Sequence, residues 1–167
     1  MQKGKQKAKS IAAAQRDEHK PIELTLNPEL SYGEFRIGES IANYMGVVEK
    51  ESRGRYLDWD SYIAKDFGNV NLWCSSSGII YAIRFDKHCF YKGQDMIGMH
   101  IFDFLMKLNK EPRKVEILWT PTKDENHGQN QHVYDIAINR SGSMGLQVWT
   151  WKKHIVSILV YNNALSV

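Results

Sequence analysis

Two stretches of the chain alternate apolar and polar residues in the same way. Leu72 to Asp86 reads LWCSSSGIIYAIRFD, and Val148 to Asn162 reads VWTWKKHIVSILVYN. At an offset of 76, Trp73 meets Trp149, Ile79 meets Ile155, Ile80 meets Val156, Ile83 meets Leu159 and Phe85 meets Tyr161. Each stretch predicts a β-hairpin: a short arm carrying a Trp, a small or polar turn, then an arm of β-branched and aromatic residues. Upstream of each, apolar positions recur at helical spacing. Ile37, Ile41, Tyr44, Met45 and Val48 in IGESIANYMGVV match Ile97, Ile101, Phe104, Leu105 and Leu108 in IGMHIFDFLMKL, at an offset of 60. One apolar face at a period of 3.6 predicts a helix in each place. Helix then hairpin, twice, predicts an α+β fold: two degenerate repeats, about 22–94 and 95–167, whose antiparallel sheet packs against the helices around a shared core.

The segments between these blocks are read more locally. Ile22, Leu24 and Leu26 alternate as a short strand that stops at Asn27-Pro28, and Ser31-Tyr32-Gly33 is a turn. Residues 55–70 are aromatic without a clean period and predict a strand or a packed loop. Asp95 is placed to accept hydrogen bonds from the free amides of the second helix, and Pro112 ends that helix. The second half is longer, with 51 positions from Gly98 to Trp149 against 35 from Gly38 to Trp73. The extra chain holds a strand, Val115 to Trp119, and a polar loop, Thr120 to Gln131. An alternating strand, Val133 to Ile138, and a turn, Asn139 to Gly145, follow. Long polar loops on a rigid scaffold commonly carry binding function.

Composition changes this picture little, and charge changes it more. With 43% hydrophobic and 11% aromatic residues, the chain has enough apolar surface for a sizeable core. The net charge of +3 is unevenly spread. Residues 1–20 hold six Lys or Arg against two acids, or +4, leaving sixteen bases and seventeen acids, or −1, in residues 21–167. The first 20 residues read as a basic tail, flexible or helical: a solvated extension foremost, with an arm that contacts nucleic acid or a membrane surface as the alternative. No apolar run reaches the roughly 20 residues that span a bilayer, and no apolar leader opens the chain, so a cytoplasmic protein without membrane contact is expected. Cys74 and Cys89 are not cross-strand neighbours in the hairpin reading, and both are expected to be reduced.

Common catalytic signatures are absent: no GxSxG, HExxH, paired CxxC or GxxxxGK[ST] occurs. Four weaker groupings remain. Asp58 and Asp60 flank Trp59 and would share one strand face, as an acid/base pair, a cation site or a solvated strand edge. His88 and Cys89 would point to opposite faces, which favours a structural role over a metal site. His127, His132, Lys152, Lys153 and His154 offer a base and cations for metal-independent nuclease chemistry, or simply an exposed loop and hairpin tip. Trp149 and Trp151 share a face; Trp149 is expected in the core like Trp73, whereas Trp151, with Ser75 as counterpart, is the better exposed contact. No cofactor, metal site or catalytic residue is assigned.

A small chain with two α-plus-β halves, many aromatics, unmatched polar loops and no catalytic motif resembles the bacterial immunity proteins that neutralise polymorphic or contact-dependent toxins. It is similar in layout to tandem-repeat inhibitors such as the β-lactamase inhibitory family. The resemblance spans most of residues 22–162 and is one of arrangement. It implies a non-enzymatic inhibitor that covers the active site of a toxin or enzyme with a preformed surface. The expected contacts are Asp58, Asp60, Asp124, Glu125, His127, Trp151, Lys152, Lys153 and His154. A small nuclease, or a scaffolding module whose basic tail docks nucleic acid, are the alternatives.

Overall fold

The computed structural model describes residues 26–27, 31–32, 34–51, 60–64, 70–121 and 128–166. In chain order, β1 (Leu26–Asn27), β2 (Ser31–Tyr32) and β3 (Phe35–Arg36) make a small sheet. Then come β4 (Glu49–Lys50), β5 (Asp60–Ala64), β6 (Val70–Cys74) and β7 (Ile80–Phe85). A small hairpin, β8 (Phe90–Tyr91) with β9 (Gln94–Asp95), precedes the helix α1 (Ile101–Leu108). The chain ends with β10 (Lys114–Pro121), β11 (Gly128–Ala137), β12 (Met144–Trp151) and β13 (His154–Asn162). Eight strands form one antiparallel sheet in the order β10-β11-β12-β13-β7-β6-β5-β4. It is two four-stranded meanders joined where β13 meets β7.

This overturns the expected α+β architecture of helix-then-hairpin repeats. The protein is mostly β, and α1 is the one α-helix among the described residues. Over residues 37–48 only a single 3-10 turn forms, Ile41–Tyr44. The cause is competition for the backbone. Gly38 donates its N–H to the Ile80 carbonyl at 2.8 Å, Ile80 donates to Glu39 at 2.9 Å, and Ile41 donates to Gly78 at 2.9 Å. Gly38 sits at φ +92°, outside the helical region and open to glycine alone without strain. The apolar positions Ile37, Ile41 and Val48 are buried, as a strap laid along β7 and not as a helix face.

The second stretch opens with the same strap. Gly98 (φ +85°) donates to the Ile155 carbonyl at 2.7 Å, Ile155 to Met99 at 2.9 Å, and Ile101 to Lys153 at 2.9 Å. Only after it does α1 begin, with His100 as its N-cap and Asn109, in the left-handed region, as its C-cap. The helix thus ends before Pro112. Asp95 does not cap it: its carboxylate accepts from the N–H groups of Cys89 and Ile97, both at 3.0 Å, and meets His88 Nδ1 at 2.7 Å, closing the β8–β9 hairpin.

Alternation along the strands gives the sheet two faces. One carries the core: a row through Tyr62, Leu72, Ile83, Val160, Leu146 and Ile136 crosses six strands. All but Tyr62 in that row are at most 2% exposed, and α1 adds Ile101 and Phe104 to the same cluster. The other face carries Trp73, Ala82, Leu159 and Tyr161, a smaller apolar group. Trp73 and Trp149 both lie here, half-buried, so Trp149 is not a member of the main core. Cys74 and Cys89 are free and fully buried. Burial, with the Asp60 carboxylate adding to it, pushes the Cys74 thiol up to about 12. Among the described residues no helix is long and apolar enough to cross a membrane.

Candidate partner-binding surface

The second hairpin turns over only two residues, Lys152 and Lys153, between the paired Trp151 and His154. Both lysines have positive φ, +50° and +67°. A two-residue turn that matches strand twist needs this left-handed backbone twice, which is why Asn-Gly is its usual sequence. For a residue with a Cβ the conformation costs roughly 1–2 kcal/mol. The first hairpin, between Cys74 and Ile80, takes a longer turn with Gly78 at φ +77°. The second hairpin therefore holds two cationic side chains where conformation alone favours small residues.

Their placement follows from the strap. Because Ile101 bonds to the Lys153 carbonyl and His100 bridges His154, the start of α1 is fixed beside the tip. Lys152 Nζ lies 4.6 Å from the Trp151 ring centroid, and Lys153 Nζ lies 6.0 Å from that of Phe102, within cation–π range. The His100 and His154 rings meet edge to face at 5.7 Å, and His154 Nδ1 is 3.0 Å from the Lys152 carbonyl oxygen. Phe102 remains 53% exposed and Trp151 43%. Between tip and strap is a hollow of about 460 Å³ lined by Ile97, Gly98, Trp151, Lys152, His154, Ile155, Val156 and Asp86. Its carboxylate, Asp86, is already held by Arg84 Nε at 2.8 Å and Asn71 Nδ2 at 3.3 Å. What is left to an incoming surface is an apolar floor with a cationic rim.

The sequence-derived contacts do not all converge here. Trp151, Lys152, Lys153 and His154 do. Asp60, at the start of β5, pairs with Cys74 at the opposite end of the sheet and binds Lys50 Nζ at 2.8 Å. Asp58, Asp124, Glu125, His127 and the tail 1–20 lie outside the described residues. His132 is on β11 and His154 on β13, with β12 between them, a separation of roughly 10 Å set by strand spacing. His100 and Phe102 escaped sequence reading because only a long-range pairing, strap to hairpin, brings them to the tip.

A second hollow, about 370 Å³, opens on the other sheet face. Arg113 dominates one wall: Nε binds Asp135 at 2.7 Å, one terminal nitrogen donates to the Gly142 carbonyl at 3.0 Å, and the other to Tyr161 Oη at 2.6 Å. Tyr161 in turn donates to Asp135 at 2.6 Å. All three guanidinium nitrogens are engaged, so this network ties the start of β10 to β11, to the β11–β12 turn and to β13. Among the described residues no three His, Cys, Asp or Glu side chains gather in a way that would hold a metal ion. No protein-family model matches the chain, no curated protein matches it in sequence, and no solved structure matches it.

Proposed function

We propose that the protein is a non-enzymatic inhibitor of the immunity type, acting in the cytoplasm, which neutralises a toxin by covering its active site. The hairpin tip is its main contact. The observation that carries this reading is the pair of left-handed lysines: strain retained at a surface turn points to side chains kept for contact. Around them lie the ingredients of a protein hot spot, an exposed Trp, an exposed Phe and an apolar hollow able to take one large side chain. The complementary feature on the partner is a bulky apolar residue flanked by carboxylates.

Co-expression with the product of a neighbouring toxin gene tests this. Growth is expected to be restored by the natural chain and lost with Lys152→Glu/Lys153→Glu, while the variant folds with an unchanged circular dichroism spectrum. Equal protection by that variant, or turnover of RNA or DNA by the purified protein that His154→Ala abolishes, contradicts the reading.

A further inference from the structure

We infer that two copies of this chain pair edge to edge through β10, antiparallel, about a two-fold axis at Ile117. This stands apart from the hairpin tip and does not depend on it. The two edges of the large sheet are treated very differently. At one end β4 is two residues long and both are charged, Glu49 and Lys50. Short, charged edges are how sheets avoid unwanted pairing. The other end, β10, is eight residues long. Val115, Ile117 and Trp119 stand on one face, 48%, 62% and 61% exposed, and Leu118 on the other is 40% exposed. Val115 extends a core row: Phe85, Ile158, Val148 and Tyr134 lead across the sheet to it. The core layer thus runs on to an edge where nothing within the described chain pairs with it.

The register of β10 on itself is complementary, which makes a second copy of this chain the occupant. A two-fold perpendicular to the sheet keeps each face on its own side, so like parity must pair with like. Centred on Ile117, it sets Ile117 against itself and Val115 against Trp119 on the apolar face. On the other face it sets Glu116 against Leu118 and Lys114 against Thr120, and no like charges meet. Centring one position toward the start puts Glu116 opposite Glu116, which is repulsive. Centring one position later brings Pro121, which has no N–H, opposite Val115. The chain already joins its own halves in this manner, since β7 and β13 meet as antiparallel edges. Edge pairing buries the backbone of one strand and the flanks of a few apolar side chains, less than a standard-size specific interface, so the dimer is weak and forms only at high protein concentration.

Light scattering coupled to gel filtration, run on the purified natural chain over a wide concentration range, tests the pairing. A dimer is expected at high concentration, and Ile117→Lys is expected to remain monomeric throughout with the same thermal midpoint. As a second arm, Ile117→Cys under mild oxidation should give a reducible covalent dimer, whereas Leu118→Cys, on the other face and opposite Glu116, should not; the buried Cys74 and Cys89 give no background. A natural chain that is monomeric at every concentration overturns the proposal. So does crosslinking through Leu118→Cys in preference to Ile117→Cys.

Discussion

Arg84 and Leu159 face each other at the centre of the eight-stranded sheet, and the register around them reads the same from either strand. Ile83 lies opposite Val160 and Phe85 opposite Ile158. The straps repeat this relation, since Gly38 bonds to Ile80 as Gly98 bonds to Ile155. Each strap occupies the lane that the other meander leaves empty. The seam is therefore both hydrogen-bonded and part of one continuous core, which makes separate unfolding of the two meanders unfavourable.

Ile158→Ala tests that seam. Ile158 is fully buried, and deleting its side chain leaves a cavity bordered by both meanders. The expected cost is about 2–5 kcal/mol, read from urea denaturation as a lower midpoint with one transition by both fluorescence and circular dichroism. Two separated transitions in the natural chain contradict a shared core.

Gly145→Ala should be costly for a different reason. A Cβ there would overlap Tyr161 Oη and lie 2.7 Å from Tyr161 Cζ and 2.8 Å from the Ile136 carbonyl oxygen, which is backbone and cannot swing away. Overpacking of this kind costs about 1–3 kcal/mol, and adding Tyr161→Phe should recover part of it by removing the nearest atom. Denaturation of the single and double variants measures both effects.

Tyr161 also sets an alkaline limit. Burial first, then its hydrogen bond to the Asp135 carboxylate, raises its ionisation above the ordinary tyrosine value of 10.0. Above about pH 10 the unfolded chain releases this proton while the folded protein keeps it, so the native state binds more protons and stability falls as pH rises. Tyr44, pushed up to about 12, acts in the same direction. Stability measured from neutral pH upward should decline beyond about 10, and less steeply in Tyr161→Phe. An equal slope in that variant would show that Tyr161 is not part of the effect.

Cys74 and Cys89 supply a check on burial. Both thiols are inaccessible and burial disfavours their thiolates, so neither should react with a thiol reagent until the protein unfolds. Rapid modification of the native protein would place one of them at the surface.

Much of the hairpin pattern was legible, because alternation and a repeated Trp report directly on strand pairing. Trp73 and Trp149 do stand on the same sheet face, each followed by a bulge in the pairing. The helical reading failed where apolar spacing was ambiguous. Ile37 and Ile41 fit a helix face equally well as a strap anchored by a left-handed glycine, and Gly38 and Gly98 were the residues that distinguished the two. At the tip, the lysine pair was visible in the sequence, but its backbone strain and its proximity to Phe102 were not. Both depend on a turn length and a docking contact set by tertiary structure.

The double substitution Lys152→Asn/Lys153→Gly separates stability from recognition. It replaces two strained lysines with the residues that the turn prefers, and should stabilise the fold by about 1–2 kcal/mol. Titration calorimetry of the natural chain and this variant, at low and high salt, against the product of a neighbouring toxin gene is the decisive measurement for the proposed contact. Affinity of the natural chain is expected to fall with salt, and the more stable variant to bind at least about tenfold more weakly. Equal affinity of the two proteins, unchanged by salt, would contradict the proposed contact.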